Sequence, residues 1–214
     1  GNAAKGVDMN TAPYGRISTF GSAEKTTSGS TYLYKDWKIA TIQLNEGEVP
    51  NVPVNVDLRN MMIEINTDKG IRVISMSRVR RLLVGYENID QQIFENTKAY
   101  NGAQAHINGL VEVLVNNETA LLKYYYGYTS EGSYNAALDM GNNETKMMVK
   151  SRYFLFKNGK LVEVPKNRKK FIKNFPIEQQ DALKTFLEEK DLTLKNQSDL
   201  IIVCNYLNEK QVKF

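Results

Sequence analysis

The chain has 214 residues, of which 42% are apolar and 24% charged, and its formal net charge is +4. This composition is typical of a folded globular protein and excludes a disordered, collagen-like or coiled-coil chain. The longest strictly apolar run covers residues 200–204, far fewer than the roughly 20 residues that a membrane-spanning helix needs. We therefore expect no transmembrane segment.

The first 31 residues are rich in Gly, Ser, Thr and Ala and carry few large apolar side chains. Such a composition predicts an N-terminal arm over residues 1–31, followed by a single domain over residues 32–214. The sequence begins at Gly1 without an initiating methionine. We expect from this that a signal peptide has been removed and that the protein is exported; the alternative is a missing upstream domain.

Residues 32–165 show the pattern of a β-sheet. Apolar and polar residues alternate there, as at Val52, Val54 and Val56, and a period of two is typical of strands with one covered face. Short connections rich in Asn, Asp and Gly interrupt the pattern at residues 45–48, 68–70, 116–118 and 158–159. Such connections join antiparallel neighbours. We predict an α+β, mainly β fold, in which an antiparallel meander sheet forms a half-barrel or a sandwich.

The apolar period changes to about 3.6 in residues 166–214, which is typical of amphipathic helices. Pro176 is placed like the first residue of a helix. The apolar stripe of this helix comprises Ile177, Leu183, Phe186 and Leu187. A second helix is predicted to begin at Ser198. We therefore expect a basic segment and then two C-terminal helices, which dock on the sheet or on each other because each is too short to be stable alone.

The chemistry open to the chain is limited by a single cysteine, Cys204, and a single histidine, His106. No intramolecular disulfide is possible, and a zinc site of the usual Cys and His ligands cannot be built from one chain. The sequence contains no phosphate-binding loop, dinucleotide fingerprint, nucleophile elbow or His-Glu-x-x-His motif. We predict no catalytic residue, no metal site and no cofactor, and the pattern favours a non-enzymatic protein over an enzyme.

Aromatic residues form the most distinctive positive feature. On a strand, Tyr124, Tyr126 and Tyr128 would lie in a row on one face, and Trp37 belongs to a second aromatic group. Such residues can stack on sugar rings or hold an apolar ligand. They also favour strands and pair across them. We predict these four residues as a ligand-binding set, with packing inside the sheet as the alternative.

Basic residues form two clusters, one containing Arg78 and Arg80 and one containing Arg168, Lys169 and Lys170. Both are predicted anion-binding residues, because Lys and Arg bind phosphate-bearing surfaces. The alternative is a solvated basic edge that discourages aggregation. We expect no nucleic-acid partner, since the chain shows no signature of a nucleic-acid-binding fold.

Three stretches of the chain carry a resemblance: residues 32–37 leading to the hairpin at Gly47, residues 153–159, and residues 168–171 before the helices. Together they resemble a group of uncharacterised exported β-rich proteins of Bacteroidota-type Gram-negative bacteria. The resemblance covers most of residues 32–208. It implies a location in the periplasm or at the cell surface and assigns no catalytic residue.

These observations predict a non-enzymatic binding or structural module of the cell envelope, whose partner is a glycan, a lipid or another envelope component. One alternative is a periplasmic carrier of lipid or another apolar ligand, which needs a continuous apolar pocket of roughly several hundred Å³. The other alternative is an enzyme of unfamiliar class that uses carboxylates or tyrosine hydroxyls.

Overall fold

The computed structural model describes residues 26–87, 89–135, 140–141 and 144–214. Its strands are β1 (Thr26–Gly29), β2 (Lys38–Leu44), β3 (Gly47–Asp57), β4 (Met62–Thr67), β5 (Gly70–Ser75), β6 (Val79–Tyr86), β7 (Ile89–Asn96), β8 (Leu110–Val115), β9 (Ala120–Ser130), β10 (Tyr134–Asn135), β11 (Met140–Gly141), β12 (Glu144–Lys157) and β13 (Lys160–Glu163). Its helices are α1 (Arg168–Ile172), α2 (Ile177–Glu189) and α3 (Gln197–Glu209). The predicted mainly β fold with helices at the C-terminal end is confirmed.

One large sheet of 11 strands dominates the structure, in the order β1-β12-β9-β8-β7-β6-β2-β3-β4-β5, with β13 paired to β12. The pairs are antiparallel, apart from β1, which is parallel to β12. β10 and β11 form a separate pair. The order departs from a simple meander where β6 pairs with β2 instead of β5, since the chain returns there to the free edge of β2. Of the predicted arm, residues 1–25 lie outside the described part, and residues 26–29 form β1.

The predicted hairpins are present in the sheet. Leu44 pairs with Gly47, Thr67 with Gly70, and Lys157 with Lys160. The last of these turns needs positive φ at both central residues, and Asn158 and Gly159 have φ of 51° and 77°. Turn chemistry alone therefore located these connections correctly.

The sheet curls strongly. Val56 of β3, Phe94 of β7 and Leu110 of β8 belong to one buried cluster and line the same small cavity. In a flat sheet β3 and β8 would be about 19 Å apart, because neighbouring strands are about 4.8 Å apart. The shared core therefore requires that β3 and β4 fold back towards β8. All of these strands belong to one hydrogen-bonded sheet, which is closer to the half-barrel alternative than to two stacked sheets.

Both faces of β3 are covered, although its sequence predicts one wetter face. Val54 and Val56 point into the core, while Asn55 on the opposite face is only 8% exposed. The segment that connects β1 to β2 runs beside the end of β3, since Leu33 N donates to Val56 O and Leu58 N donates to Thr31 O. Its residue Tyr34 exchanges hydrogen bonds with the Asn55 side chain, donating from N and accepting at the carbonyl oxygen. The segment thereby reaches from β1 at one edge of the sheet to β3.

The C-terminal helices pack on β9 and β12, as predicted. A buried cluster joins Leu121 and Leu155 of the sheet to Leu187 of α2 and Leu207 of α3. The two helices also contact each other through the stacked rings of Phe186 and Tyr206, whose centroids are 3.9 Å apart. Ile177 was expected in the apolar stripe, but it is 79% exposed because it lies in the first turn, before the helix meets the sheet.

The prediction of two helices is wrong in number, since the described part contains three. α1 lies in the basic segment, where the Asn167 side chain accepts a hydrogen bond from Lys170 N and caps the helix. Phe171 anchors it and is 1% exposed. A helix of five residues is too short to show a period of 3.6 in the sequence. No helix in the described ranges is long and apolar enough to cross a membrane.

Candidate functional site

The predicted aromatic row lies on the outer face of β9. Tyr124 and Tyr126 are half-buried, and Tyr128 is 39% exposed. The rings of Tyr124 and Tyr126 are nearly parallel, with an interplanar angle of 17° and centroids 6.2 Å apart. The structure therefore brings these three residues together, as expected from their spacing on a strand.

Cations from β12 interleave with this row. Lys150 lies opposite Tyr126 and Arg152 opposite Tyr124. The Lys150 Nζ atom is 3.3 Å from the centroid of the Tyr128 ring, so it covers one face of that ring. Arg152 donates two hydrogen bonds, of 2.8 and 2.6 Å, to Glu163. The row is thus engaged in cross-strand packing, which is the alternative that the sequence left open.

The Arg152–Glu163 pair shows that these charges already have partners. Hydrogen bonds from the Arg152 guanidinium lower the pKa of the Glu163 carboxyl group. A lowered pKa keeps this carboxylate ionised at neutral pH, the opposite of what a general acid needs.

Trp37 lies elsewhere, immediately before β2. It is 38% exposed and forms one wall of an open cleft of about 450 Å³. The other residues that line this first cleft are Ser30, Tyr32, Tyr34, Lys35, Asn55 and Glu64. Trp37 and two tyrosines thus share a cleft with four polar residues.

The first cleft is held together by hydrogen bonds between the β1–β2 segment and two strands. Asn55 of β3 lies directly opposite Glu64 of β4. The Tyr32 hydroxyl donates to Glu64 Oε1 at 2.7 Å, and Asn55 Nδ2 donates to the Tyr34 carbonyl at 3.0 Å. The hydrogen bond to Glu64, with burial, raises the pKa of Tyr32 to about 12. The Tyr32 hydroxyl therefore stays a donor at neutral pH.

A second cleft, of about 310 Å³, lies on another side of Trp37 and is lined in part by Tyr86, Asp90 and Gln92. Tyr86 is 60% exposed, and the nearby Ile89 is 70% exposed. Trp37 is therefore a wall common to both clefts. We refer to the two clefts together as the Trp37 surface.

The predicted anion-binding residues lie in different elements. Arg78 is 3.4 Å from Glu46 on the surface, and Arg80 lines a cleft of about 360 Å³ near β6 and β7. Arg168 donates to the Leu192 carbonyl oxygen, so it serves helix packing. Lys169 and Lys170 are exposed on α1. The structure thus places one of the five, Arg80, in a cleft of ligand size.

A buried polar network on the inner face of the sheet was not predicted. Glu112 is 6% exposed, and it accepts hydrogen bonds from the Tyr125 hydroxyl at 2.6 Å and from Gln92 Nε2 at 3.0 Å. Gln92 Oε1 accepts in turn from the Tyr34 hydroxyl at 2.9 Å. Burial, and then the hydrogen bond to Glu112, raise the pKa of Tyr125. The signal in the sequence was a lone glutamate inside the apolar run of residues 110–115.

The single cysteine and the single histidine occupy structural positions. Cys204 is buried, its Sγ donates to the Thr119 carbonyl at 3.3 Å, and burial raises the pKa of its thiol to about 12. His106 is exposed and ends a 3-10 turn with φ of 54°. The position of Cys204 is that of a small buried apolar residue, whereas the His106 side chain lies at the surface.

The cleft with the most apolar lining among those of the described residues lies between β3, β4 and β8, next to Met61, Phe94 and Tyr125. Its free volume is about 10 Å³, roughly the space of one water molecule. The clefts of several hundred Å³ are open and contain charged residues.

Comparisons of the chain with models of known protein families, with curated proteins and with solved structures gave no match. The chemistry of the clefts is therefore the evidence for a function.

Proposed function

We propose that the protein is a non-enzymatic binding module of the cell envelope that recognises a glycan chain at the Trp37 surface. The observation that carries this proposal is that the chain's one tryptophan is 38% exposed and is shared by two open clefts. An exposed indole offers a wide apolar face, against which the C–H face of a sugar ring can pack. Two clefts on one tryptophan suit consecutive sugar rings of a chain.

Polar groups around Trp37 supply the hydrogen bonds that a sugar needs. Tyr32 uses only one oxygen of the Glu64 carboxylate, so Glu64 Oε2 is open to a hydroxyl donor from the ligand. The Lys35 ammonium lines the same cleft and is exposed. Asp90, which is exposed, plays the corresponding part in the second cleft. The mixture of one cation and one anion beside an aromatic face fits a neutral glycan with many hydroxyl groups.

The geometry favours this proposal over a carrier of apolar ligands and over an enzyme that uses tyrosine hydroxyls. A carrier of apolar ligands needs a large apolar cavity, and the apolar cleft has about 10 Å³ of free volume. An enzyme using tyrosine hydroxyls needs them to lose protons readily, but burial raises the pKa of both Tyr34 and Tyr125. Such hydroxyls are poor bases and nucleophiles at neutral pH. The envelope location in the proposal follows from the resemblance noted in the sequence.

The proposal is tested by calorimetric titration of neutral hexasaccharides: cellohexaose, xylohexaose, mannohexaose and chitohexaose. We expect at least one to bind, and we expect Trp37→Ala to weaken that binding at least tenfold. Tyr128→Ala is the matched control, because Tyr128 is 39% exposed and Trp37 38%. The control should change the affinity by less than twofold.

Two results would contradict the proposal. One is that none of the four hexasaccharides binds. The other is that Tyr128→Ala abolishes binding while Trp37→Ala retains it, which would move the site to the aromatic row on β9. Thermal unfolding of both variants checks that neither change acts through loss of the fold.

A further inference from the structure

A basic cleft lies at the other end of β2 from the Trp37 surface. Its polar lining consists of Asn45, which follows β2, and of Ser77, Arg80, Arg81, Glu95, Asn96 and Lys98, and it encloses about 360 Å³. We refer to it as the Arg80 cleft. The path along β2 from Trp37 to Asn45 is about 25 Å of extended chain. The Arg80 cleft is therefore a site distinct from the proposed glycan site.

Two cations in the Arg80 cleft have no partner among the described residues. The side chains of Arg80 and Lys98 are exposed, and neither has a hydrogen bond or ion pair with any residue that the structure describes. They approach from different parts of the chain, Arg80 from β6 and Lys98 from the 3-10 turn that follows β7. Because both cations line one cleft, an anion bound there would interact favourably with each of them.

The third cation of the cleft is already compensated. Arg81 lies opposite Glu95 across β6 and β7, and its Nε atom is 3.1 Å from Glu95 Oε1. The Tyr100 hydroxyl also donates to Glu95. Burial, and then this hydrogen bond, raise the pKa of Tyr100, so the hydroxyl stays a donor. The cleft thus keeps two uncompensated positive charges, those of Arg80 and Lys98.

The wall of the cleft is fixed before any ligand arrives. Asn96 Nδ2 donates to the carbonyl oxygens of Met76 and Val79, at 3.2 and 2.8 Å. Asn96 Oδ1 accepts from Lys98 N at 3.1 Å. These bonds tie the turn that carries Ser77 to the end of β7. A preformed wall lowers the entropic cost of ordering the site on binding.

We propose that the Arg80 cleft binds a phosphate monoester. Such a group carries a charge of about −1.5 to −2 near neutral pH, which matches the charges of Arg80 and Lys98 better than a singly charged phosphodiester or sulfate ester does. The planar guanidinium of Arg80 donates two parallel hydrogen bonds to the phosphate oxygens, and Lys98 acts as a compact positive charge. The Ser77 hydroxyl, which is 2.9 Å from Ser75 Oγ, is a further donor.

The test uses a soluble and a lipid form of the same chemical group. Glucose 6-phosphate is titrated calorimetrically, with glucose as the uncharged control. Vesicles of phosphatidylcholine with phosphatidic acid are used for co-sedimentation, with phosphatidylglycerol as the diester control. We expect the monoester to bind in at least one of the two forms. Binding of glucose 6-phosphate would identify a soluble phosphate ester as the ligand, and binding of the phosphatidic acid vesicles would identify a lipid headgroup. Neither control should bind comparably.

The variant for this test is Arg80→Ala with Lys98→Ala. It should weaken monoester binding at least tenfold. The matched control is Lys69→Ala with Arg72→Ala, which removes the same charge from exposed positions on the β4–β5 hairpin and should change binding less than twofold.

Equal weakening in both double variants would overturn the proposal, because attraction to the overall charge would explain it. Absence of binding to both forms of the monoester would overturn it as well. Trp37→Ala should leave monoester binding unchanged, so this outcome is independent of the proposed glycan site.

Discussion

Removal of one hydroxyl group tests whether the network around Glu112 stabilises the curled sheet. Tyr125→Phe deletes the donor that lies 2.6 Å from Glu112 Oε2 and keeps the ring, whose centroid is 6.3 Å from that of Phe94. Glu112 is 6% exposed, so water replaces the lost donor poorly. Hydrogen bonds to charged groups contribute roughly 1.5–3 kcal/mol. We expect the free energy of unfolding to fall by about 2 kcal/mol.

The neighbouring residue provides a matched control. Tyr126 lies on the same strand, and its hydroxyl makes no side-chain hydrogen bond with the residues that the structure describes. Tyr126→Phe should therefore change the free energy of unfolding by less than about 0.5 kcal/mol. Urea unfolding followed by circular dichroism measures both variants. With a slope of about 2 kcal/mol per molar urea, Tyr125→Phe should lower the midpoint by about 1 M.

A double-mutant cycle with Glu112→Gln assigns the loss to the pair. The coupling between Tyr125 and Glu112 should be about 1–2 kcal/mol, within the range for residues in direct contact. The account of the network is wrong if Tyr125→Phe costs no more than Tyr126→Phe, or if the coupling is zero.

The other predictions concern the same buried groups and the helical layer. The raised pKa values of Tyr34 and Tyr125 mean that the folded state holds these protons more tightly than the unfolded state, whose tyrosines titrate near about 10. Their contribution to stability is therefore complete below about pH 10 and is lost as the pH rises above it. Urea unfolding at pH 8 and pH 11 measures this effect. The free energy of unfolding should fall less between the two pH values for Tyr125→Phe than for the unmodified protein. Cys204, with its pKa raised to about 12 by burial, should not react with a thiol reagent at pH 8 in the folded protein and should react fully in urea; rapid reaction without urea would contradict its placement. Leu187→Ala should lower the free energy of unfolding by about 2–5 kcal/mol, because this fully buried side chain joins α2 to the sheet, whereas Ile177→Ala on the same helix, 79% exposed, should have little effect.

The elements that could be predicted from the sequence are those fixed by nearby residues. The hairpin at Asn158 and Gly159 depends on two residues that tolerate positive φ, and α3 depends on an apolar period within one segment. The pairing of β6 with β2 depends on the sheet as a whole, so it cannot be predicted from the apolar pattern of either segment. α1 has five residues, too few for a period to show.

In the candidate sites, too, some residues could be predicted from the sequence and others could not. Trp37 and Arg80 could be selected from an aromatic group and a basic cluster in the sequence, because aromatic rings and guanidinium groups suit ligand binding. Their neighbours could not, because Glu64 reaches Tyr32 through strand register, and Lys98 reaches the Arg80 cleft from a separate turn. Tyr124, Tyr126 and Tyr128 share one face, as their spacing on β9 predicts. The cations that pack against them come from β12, so the sequence of β9 alone could not predict them.

Fluorescence tests the central claim most directly, because the chain contains one tryptophan and its emission therefore reports on Trp37 alone. The hexasaccharide that binds in calorimetry is titrated into the unmodified protein, and quenching by acrylamide is measured with and without it. The account predicts that the ligand changes the emission and protects the indole from acrylamide, with the same midpoint as in calorimetry. Calorimetric binding that leaves both the emission and the acrylamide quenching unchanged would show that the glycan site does not include Trp37.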